Sequence, residues 1–281
     1  MNIDIICPLY NCENIINDLN NSIIKQSIDA SVSIKYILTK STDDSKETLK
    51  KNNIDFVEIE KEDFSHSLTR EKAARESKAD IICFISQDIE IVNTDWLSEL
   101  VKPLICGDAE ASFSRQISKY KNIEKYTREY NYPQESYIRS KKDISKYGLK
   151  TFFFSDVSSA IKKDVFEELN YYDNKNLITN EDMYLAYKII TSGYRIKYCS
   201  KSIVYHSHDY NLKNLYLRYK NTGIFFRDNK YLKKYEVDKT GFNMAKYIFL
   251  SIIKNKDIKS LFMFPFDMVV RYIGMKIGEN V

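Results

Sequence analysis

Four short constellations in this chain carry side chains able to do chemistry. Ser86-Gln87-Asp88-Ile89-Glu90 follows the most apolar run of the sequence, Asp80–Ile85. A carboxylate leaving a strand end can hold a divalent cation that neutralises a diphosphate; it can equally cap the next helix. Asn180-Glu181-Asp182 opens a segment with helical periodicity. The helix dipole and capping favour acids in a first turn, yet a carboxylate there can also stand as a general base. His206-Ser207-His208 holds two of the three histidines. In an extended chain alternate residues point the same way, so one face would carry both rings, for a metal, a phosphate or a structural role. Phe64-Ser65-His66-Ser67-Leu68-Thr69-Arg70 begins another helix. Helix N-termini attract phosphate and Arg pairs with it through two nitrogens, although a surface capping segment reads the same.

The elements that must position these groups alternate. Ile3–Cys7 reads as a buried strand opening into a loop at Pro8, and Asn11 as the cap of a helix carrying Ile15, Ile16, Leu19 and Ile23. Ser33–Thr39, Asp55–Ile59 and Asp80–Ile85 are expected strands, with helices over Thr48–Asn53 and Leu68–Ser77 between them. That alternation predicts a parallel sheet with helices on both faces, and ligands beyond the C-terminal strand ends. A helix from Trp96 is expected to be capped by Asn93 or Thr94. Residues 115–150, rich in tyrosine and charge, read as surface helix and loop over a site. Lys162–Leu169 and Asn180–Ser192 are expected helices, the second ended by Gly193, and Arg195–Tyr198 and Ile203–His206 expected strands. After residue 212 the chain becomes helical and basic.

Composition excludes several classes. The chain has 281 residues, 43% of them apolar, enough for a sizeable core, and too many charges (29%) for a membrane bundle. Its net charge is +4, and Tyr231–Val281 alone has nine Lys/Arg against five Asp/Glu. A surplus confined to one end suits an anionic membrane surface and leaves no basic stripe for nucleic acid. The five scattered cysteines read as reduced thiols, hence a cytoplasmic setting. The opening MNIDIICPLYN lacks a basic region followed by an apolar one, so no signal peptide is expected. P-loop, dinucleotide, zinc-protease and nucleophile-elbow motifs are absent.

Taken in order, seven segments resemble family 2 glycosyltransferases of the GT-A fold, and within them the bacterial rhamnosyltransferase branch. ICPLYN resembles the nucleotide-touching P-x-Y-N loop, FSHSLTR the F-N-H-x-x-T-R segment, and DIICFISQDIE the strand ending in the metal motif. Ser114-Arg115-Gln116 with Tyr130-Asn131-Tyr132-Pro133 resembles the G-R-Q and N-Y-P stretches. FFFSDVSSAIKKDVFEEL resembles the acceptor-side segment, NEDMYLAYKIITSGYRIKY the E-D helix, and IVYHSHDY the closing H-S-H-x-Y. The resemblance implies an α/β GT-A fold: a mixed, mostly parallel sheet flanked by helices over residues 1–229, and a helical extension over 230–281. It implies an inverting transfer of a sugar, rhamnose in that branch, from a nucleoside-diphosphate donor (dTDP-rhamnose or a UDP-sugar) to a glycan or lipid-linked acceptor. Asp182 would be the base with Glu181 beside it. Asp88 and His206 would hold Mg²⁺ or Mn²⁺, with His208 behind them. Pro8, Tyr10, Asp43, Arg70, Gln87 and Arg115 would meet the nucleotide or donor.

Two departures stand out. Ser86 occupies the place of the first Asp of D-x-D, and Leu38-Thr39-Lys40-Ser41-Thr42-Asp43-Asp44-Ser45 lacks the family's early Asp. A sugar nucleotidylyltransferase and an inactive scaffold subunit of a glycan assembly complex stay open as alternatives. The apolar segments YIFLSII, LFMFPF and MVVRYIGMKIG, set among lysines, suggest helices lying on the cytoplasmic face of the inner membrane, or packing on the domain or a second copy of the chain.

Overall fold

The computed structural model describes residues 1–235 and 240–281; residues 236–239, inside the expected extension, lie outside the described residues. Among the described residues the chain divides into two compact units. One comprises Met1–Arg115, Glu135–Lys142 and Phe152–Tyr205, the other Gln116–Gln134, Asp143–Thr151 and His206–Val281.

The first unit begins as expected. Strand β1 (Asn2–Leu9), helix α1 (Ile16–Ile24), β2 (Ser31–Thr39), α2 (Ser45–Lys51), β3 (Phe56–Ile59), α3 (His66–Arg75) and β4 (Ile81–Ile85) alternate along the chain. β1 pairs in parallel with both β2 and β4, and β2 with β3. Every residue of β4 is buried, as are Ile3–Cys7 of β1, because both faces of these central strands are covered. The chain then adds β5 (Glu90–Ile91), α4 (Trp96–Ile105), β6 (Ala111–Ile117), α5 (Ile123–Asn131), β7 (Tyr137–Arg139), α6 (Ile144–Tyr147), β8 (Ser158–Lys162), α7 (Lys163–Glu168), α8 (Glu181–Thr191) and β9 (Ile196–Tyr205). The mixed sheet runs β3-β2-β1-β4-β8-β6-β9-β5, with β7 beside β9. β8 lies antiparallel to both β4 and β6. Connections from β1 leave toward β2 on one side and return to β4 on the other, which opens a crevice between the ends of β1 and β4.

Three expectations change in detail. β9 is one strand where two were expected. Asn11 does not cap α1; it takes a left-handed conformation (φ 48°), and its side-chain oxygen accepts the Thr42 N–H at 2.9 Å. The residue before α4 is Asp95, displacing Asn93 and Thr94 from the cap position.

The second unit is helical, with α5, α6, α9 (Leu212–Asp228), α10 (Thr240–Lys254) and α11 (Ile258–Asn280). Its longest segment begins at His206, and within it α9 packs against α11 at glycines. A Cβ on Gly278 would lie 2.0 Å from the Lys220 carbonyl oxygen, and one on Gly223 2.3 Å from that of Met275. It also reaches back to α5, whose Ile123 and Tyr126 pack with Ile248 and Ile252 of α10.

Candidate active site

The crevice of the first unit is walled by the loops after β1 and β4. Gln87 ties them together: its Oε1 accepts the Tyr10 N–H at 2.7 Å and its Nε2 donates to the Tyr10 carbonyl at 2.8 Å. Pro8 is half-buried in β1, while the Tyr10 ring reaches solvent with the Lys61 ammonium 5.6 Å from its centroid. Asp43, after β2, accepts hydrogen bonds from the Ser45 N–H (3.1 Å) and the Glu13 N–H (3.2 Å). Burial raises its pKa, but these bonds and that from the Ser45 hydroxyl outweigh it and hold the carboxyl below its ordinary value. Asp43 thus pins the second loop to the first. Asp88 is exposed at the end of β4. Arg115 lies near the end of β6, and its buried Nε has no hydrogen-bond partner among the described residues.

A buried charge cluster stands beside this crevice. Asn180, left-handed at φ 58°, turns the chain into α8, so Glu181 and Asp182 occupy its first turn, where exposed N–H groups favour acids. The Asp182 Oδ1 accepts the Met183 N–H at 2.7 Å. Arg70, only 3% exposed, donates from Nη1 to the Glu181 Oε1 at 3.1 Å and to the His66 carbonyl at 3.0 Å. Its guanidinium lies over the Phe84 ring of β4 at 6.0 Å. Burial alone would lower the Arg70 pKa; the charges of Glu181, Asp156 and Asp182 raise it on balance. At the end of β1, Cys7 is within electrostatic reach of both Arg70 and Asp88.

Sequence reasoning missed two members of the cluster. Asp156 accepts hydrogen bonds from the Tyr172 hydroxyl (2.6 Å) and the Ser159 hydroxyl (2.9 Å). Its only signal was an acid inside the acceptor-side segment FFFSDVSSAIKK. Burial and the Glu181 charge push its pKa up to about 6, against the pull of Arg70 and the two hydroxyls. A carboxyl that binds its proton more tightly when folded loses stability as pH rises from its unfolded value, about 4, through about 6. Asp156→Asn should remove that component, on the order of 2–3 kcal/mol. Urea midpoints of both proteins between acid and neutral pH measure it; parallel curves would refute the role of Asp156.

The second unit carries the two histidines. His206 is buried, its N–H donates to the Ile117 carbonyl at 3.0 Å, and its Nδ1 lies 2.9 Å from the Gln116 Oε1. Arg128 donates to the same oxygen from Nη1, and from Nε to the Glu124 carboxylate at 2.7 Å. Since that oxygen only accepts, Nδ1 carries the imidazole proton and Nε2 the lone pair, the form that ligates a cation. The His208 ring stands edge-on to that of His206, centroids 4.7 Å apart. In the first unit, the last residue of β9, Tyr205, lies opposite Glu90, two residues beyond Asp88. His206 follows Tyr205 by one peptide bond.

Strands and crevice together define a GT-A nucleotide-sugar transferase fold. The chain matches the glycosyl transferase family 2 model over residues 4–170; it belongs to this family and is a glycosyltransferase. It is 30% identical to the O-antigen chain rhamnosyltransferase RfbN of Salmonella typhimurium, covering 100% of this chain and 90% of the relative. It is 29% identical to the O-antigen chain rhamnosyltransferase WbaN of Salmonella anatum, over 86% of this chain and 78% of the other. Among solved structures, the mannosyltransferase PcManGT of Pyrobaculum calidifontis, in complex with GDP-Man and Mn²⁺, superposes with a TM-score of 0.62. It shares 16% identity, over 99% of this chain and 75% of that one. S. aureus TarS (residues 1–349) gives a TM-score of 0.55 at 15% identity, over 100% and 90% of the two chains. At these identities the structural likeness is one of fold. Family membership also sets aside the nucleotidylyltransferase alternative.

Proposed function

We propose that this enzyme transfers rhamnose, with inversion at the anomeric carbon, from dTDP-rhamnose to a hydroxyl of a growing, lipid-linked surface glycan. The likeness to two O-antigen rhamnosyltransferases supports the sugar and the acceptor class. The observation that supports the mechanism is the buried Arg70–Glu181 pair, which anchors the first turn of α8, the turn that also carries Asp182. In a single displacement the acceptor oxygen forms its bond to the anomeric carbon as the bond to the donor phosphate oxygen breaks. Asp182 takes the hydroxyl proton, and the nucleoside diphosphate departs with the electron pair. Tyr10 and Gln87 meet the nucleotide, with Pro8 and Asp43 shaping the loops around it. The orphan Nε of Arg115 suits an anionic partner such as the diphosphate.

Asp88 and His206, with His208 behind them, would hold a divalent cation, which would neutralise charge developing on the diphosphate. One carboxylate and the proton-fixed imidazole of His206 fit such an ion, and imidazole favours Mn²⁺ over Mg²⁺. The ring of His208 stands beside that ligand.

Release of dTDP from dTDP-rhamnose by the purified protein tests this reading without an acceptor. Release should stop in EDTA and return with Mn²⁺. Full turnover in metal-free buffer would remove the cation from the mechanism. Turnover of a UDP-sugar in preference to dTDP-rhamnose would overturn the donor.

A further inference from the structure

Helix α11 packs Met263, Phe264 and Met268 toward α10 and α5, yet its fully buried positions are polar or glycine and much of its apolar surface is exposed. The residues it buries are Ser260, Asp267, Arg271, Gly274 and Gly278. Asp267 and Arg271 pair with each other, and Arg271 also donates to the Tyr219 hydroxyl of α9. The two glycines admit the α9 backbone. Turned outward are Ile258, Phe262, Phe266, Val269, Ile273 and Ile277, with Ile258 80% and Phe262 70% exposed. Their spacing of four, four, three, four and four keeps one face along the helix, a stripe about 29 Å long. Helix α10 adds Phe242, Phe249, Leu250 and Ile253, all exposed at helical spacing, and Phe249 meets Phe264 of α11 with centroids 5.6 Å apart. Exposed apolar faces of this extent mark a surface that something covers.

We propose that the α10–α11 face lies on an anionic lipid bilayer, its apolar stripe among the acyl chains and its lysines at the headgroups. Charge selects that occupant. Lys246, Lys254, Lys256 and Lys259 are exposed on or between these helices, while Lys276 pairs with Glu279. The acids there are turned to the protein: Asp257 accepts from Ser260 and Tyr126, Asp267 from Arg271, and Glu279 from Lys276. The rim is therefore positive, which an anionic surface complements. A second copy docked face to face would bring the same basic rim and, among the described residues, no outward acid to meet it. No described helix is long and apolar enough to cross a membrane, so the pair lies on the surface. The inference is read from the second unit alone and is independent of the sugar and acceptor proposed above.

The test is flotation of the full chain with vesicles of phosphatidylcholine alone or mixed with phosphatidylglycerol. The protein should float with the mixed vesicles and be released by high salt. Phe262→Glu/Phe266→Glu, at exposed positions, should weaken flotation at least about tenfold and keep donor hydrolysis unchanged. Lys254→Glu/Lys259→Glu should abolish the preference for the anionic lipid. Wild-type protein left at the bottom of the gradient, or equal flotation of the Phe variant, would overturn the proposal. A concentration-dependent dimer that the Phe variant dissociates, without vesicle binding, would assign the face to a second copy instead. Unchanged donor hydrolysis in every arm would leave the transferase reading intact whatever the vesicles show.

Discussion

Asp182→Asn should leave donor binding close to wild type and reduce transfer about a thousandfold. The side chains are nearly the same size, and the amide oxygen can still accept the Met183 N–H that the carboxylate accepts at 2.7 Å. The first turn of α8 should therefore keep its shape, because its anchor is the neighbouring Glu181 on Arg70. What disappears is basicity: an amide cannot take the acceptor proton, and general-base contributions are worth about 10²–10⁴ in rate. Thermal shift with the nucleotide sugar measures binding, and product formation with a glycan acceptor measures transfer. Turnover at the wild-type rate would mean that another group takes the proton. Asp156→Asn is the natural control, since it is a neighbour in the same cluster without a place in the reaction.

Arg70→Met should be the most destabilising single change in the first unit, by about 3–5 kcal/mol. The guanidinium is 3% exposed, and the Glu181 and Asp156 carboxyls are buried beside it. Removing it leaves two like-charged groups in low dielectric without a cation, and both carboxyls must take up protons or draw in water. Loss of stability should be steepest at alkaline pH. The companion variant Arg70→Met/Glu181→Leu removes both partners and should recover much of the loss, since replacing a whole buried pair by apolar groups is far less costly than breaking it. Urea unfolding followed by far-ultraviolet circular dichroism gives both numbers. If the single variant were as stable as wild type, Arg70 would not be holding the α8 turn.

The parallel half of the sheet was legible because its strands are continuous apolar runs, as in Ile81–Ile85. The antiparallel half was not. β6 and β8 read ASFSRQI and SSAIK, with serine at buried positions: Ser114 and Ser158 bond to each other, Ser112 donates to the Leu100 carbonyl and Ser159 to Asp156. Ser114, Ser158 and Ser202 form a chain of 2.7 Å contacts, and Ser202 donates to the Trp96 carbonyl. The same buried serine explains why β9 read as two strands: a polar Ser200-Lys201-Ser202 divides its apolar ends. The acids and histidines assigned to chemistry were proposed from residue type and from resemblance. The Arg70–Glu181 bond was not, since nothing in one sequence pairs residues 111 positions apart. Asp156 and Tyr172 gave no periodic or motif signal of their own. That α9 packs on α11 through glycines was not legible either, since no spacing in one sequence pairs Gly223 with Gly278.

Trp96 gives this architecture a built-in optical reporter. It is the single tryptophan of the chain, fully buried, and its indole N–H donates to Ser158 (3.0 Å) and Ser114 (3.2 Å). Selective excitation of the indole therefore reads the first unit and is blind to the helices of the second. Its emission should shift to longer wavelength when the serine chain opens to water. Compared with a signal that all helices share, such as amide absorption, it tells whether the two units melt as one or in sequence.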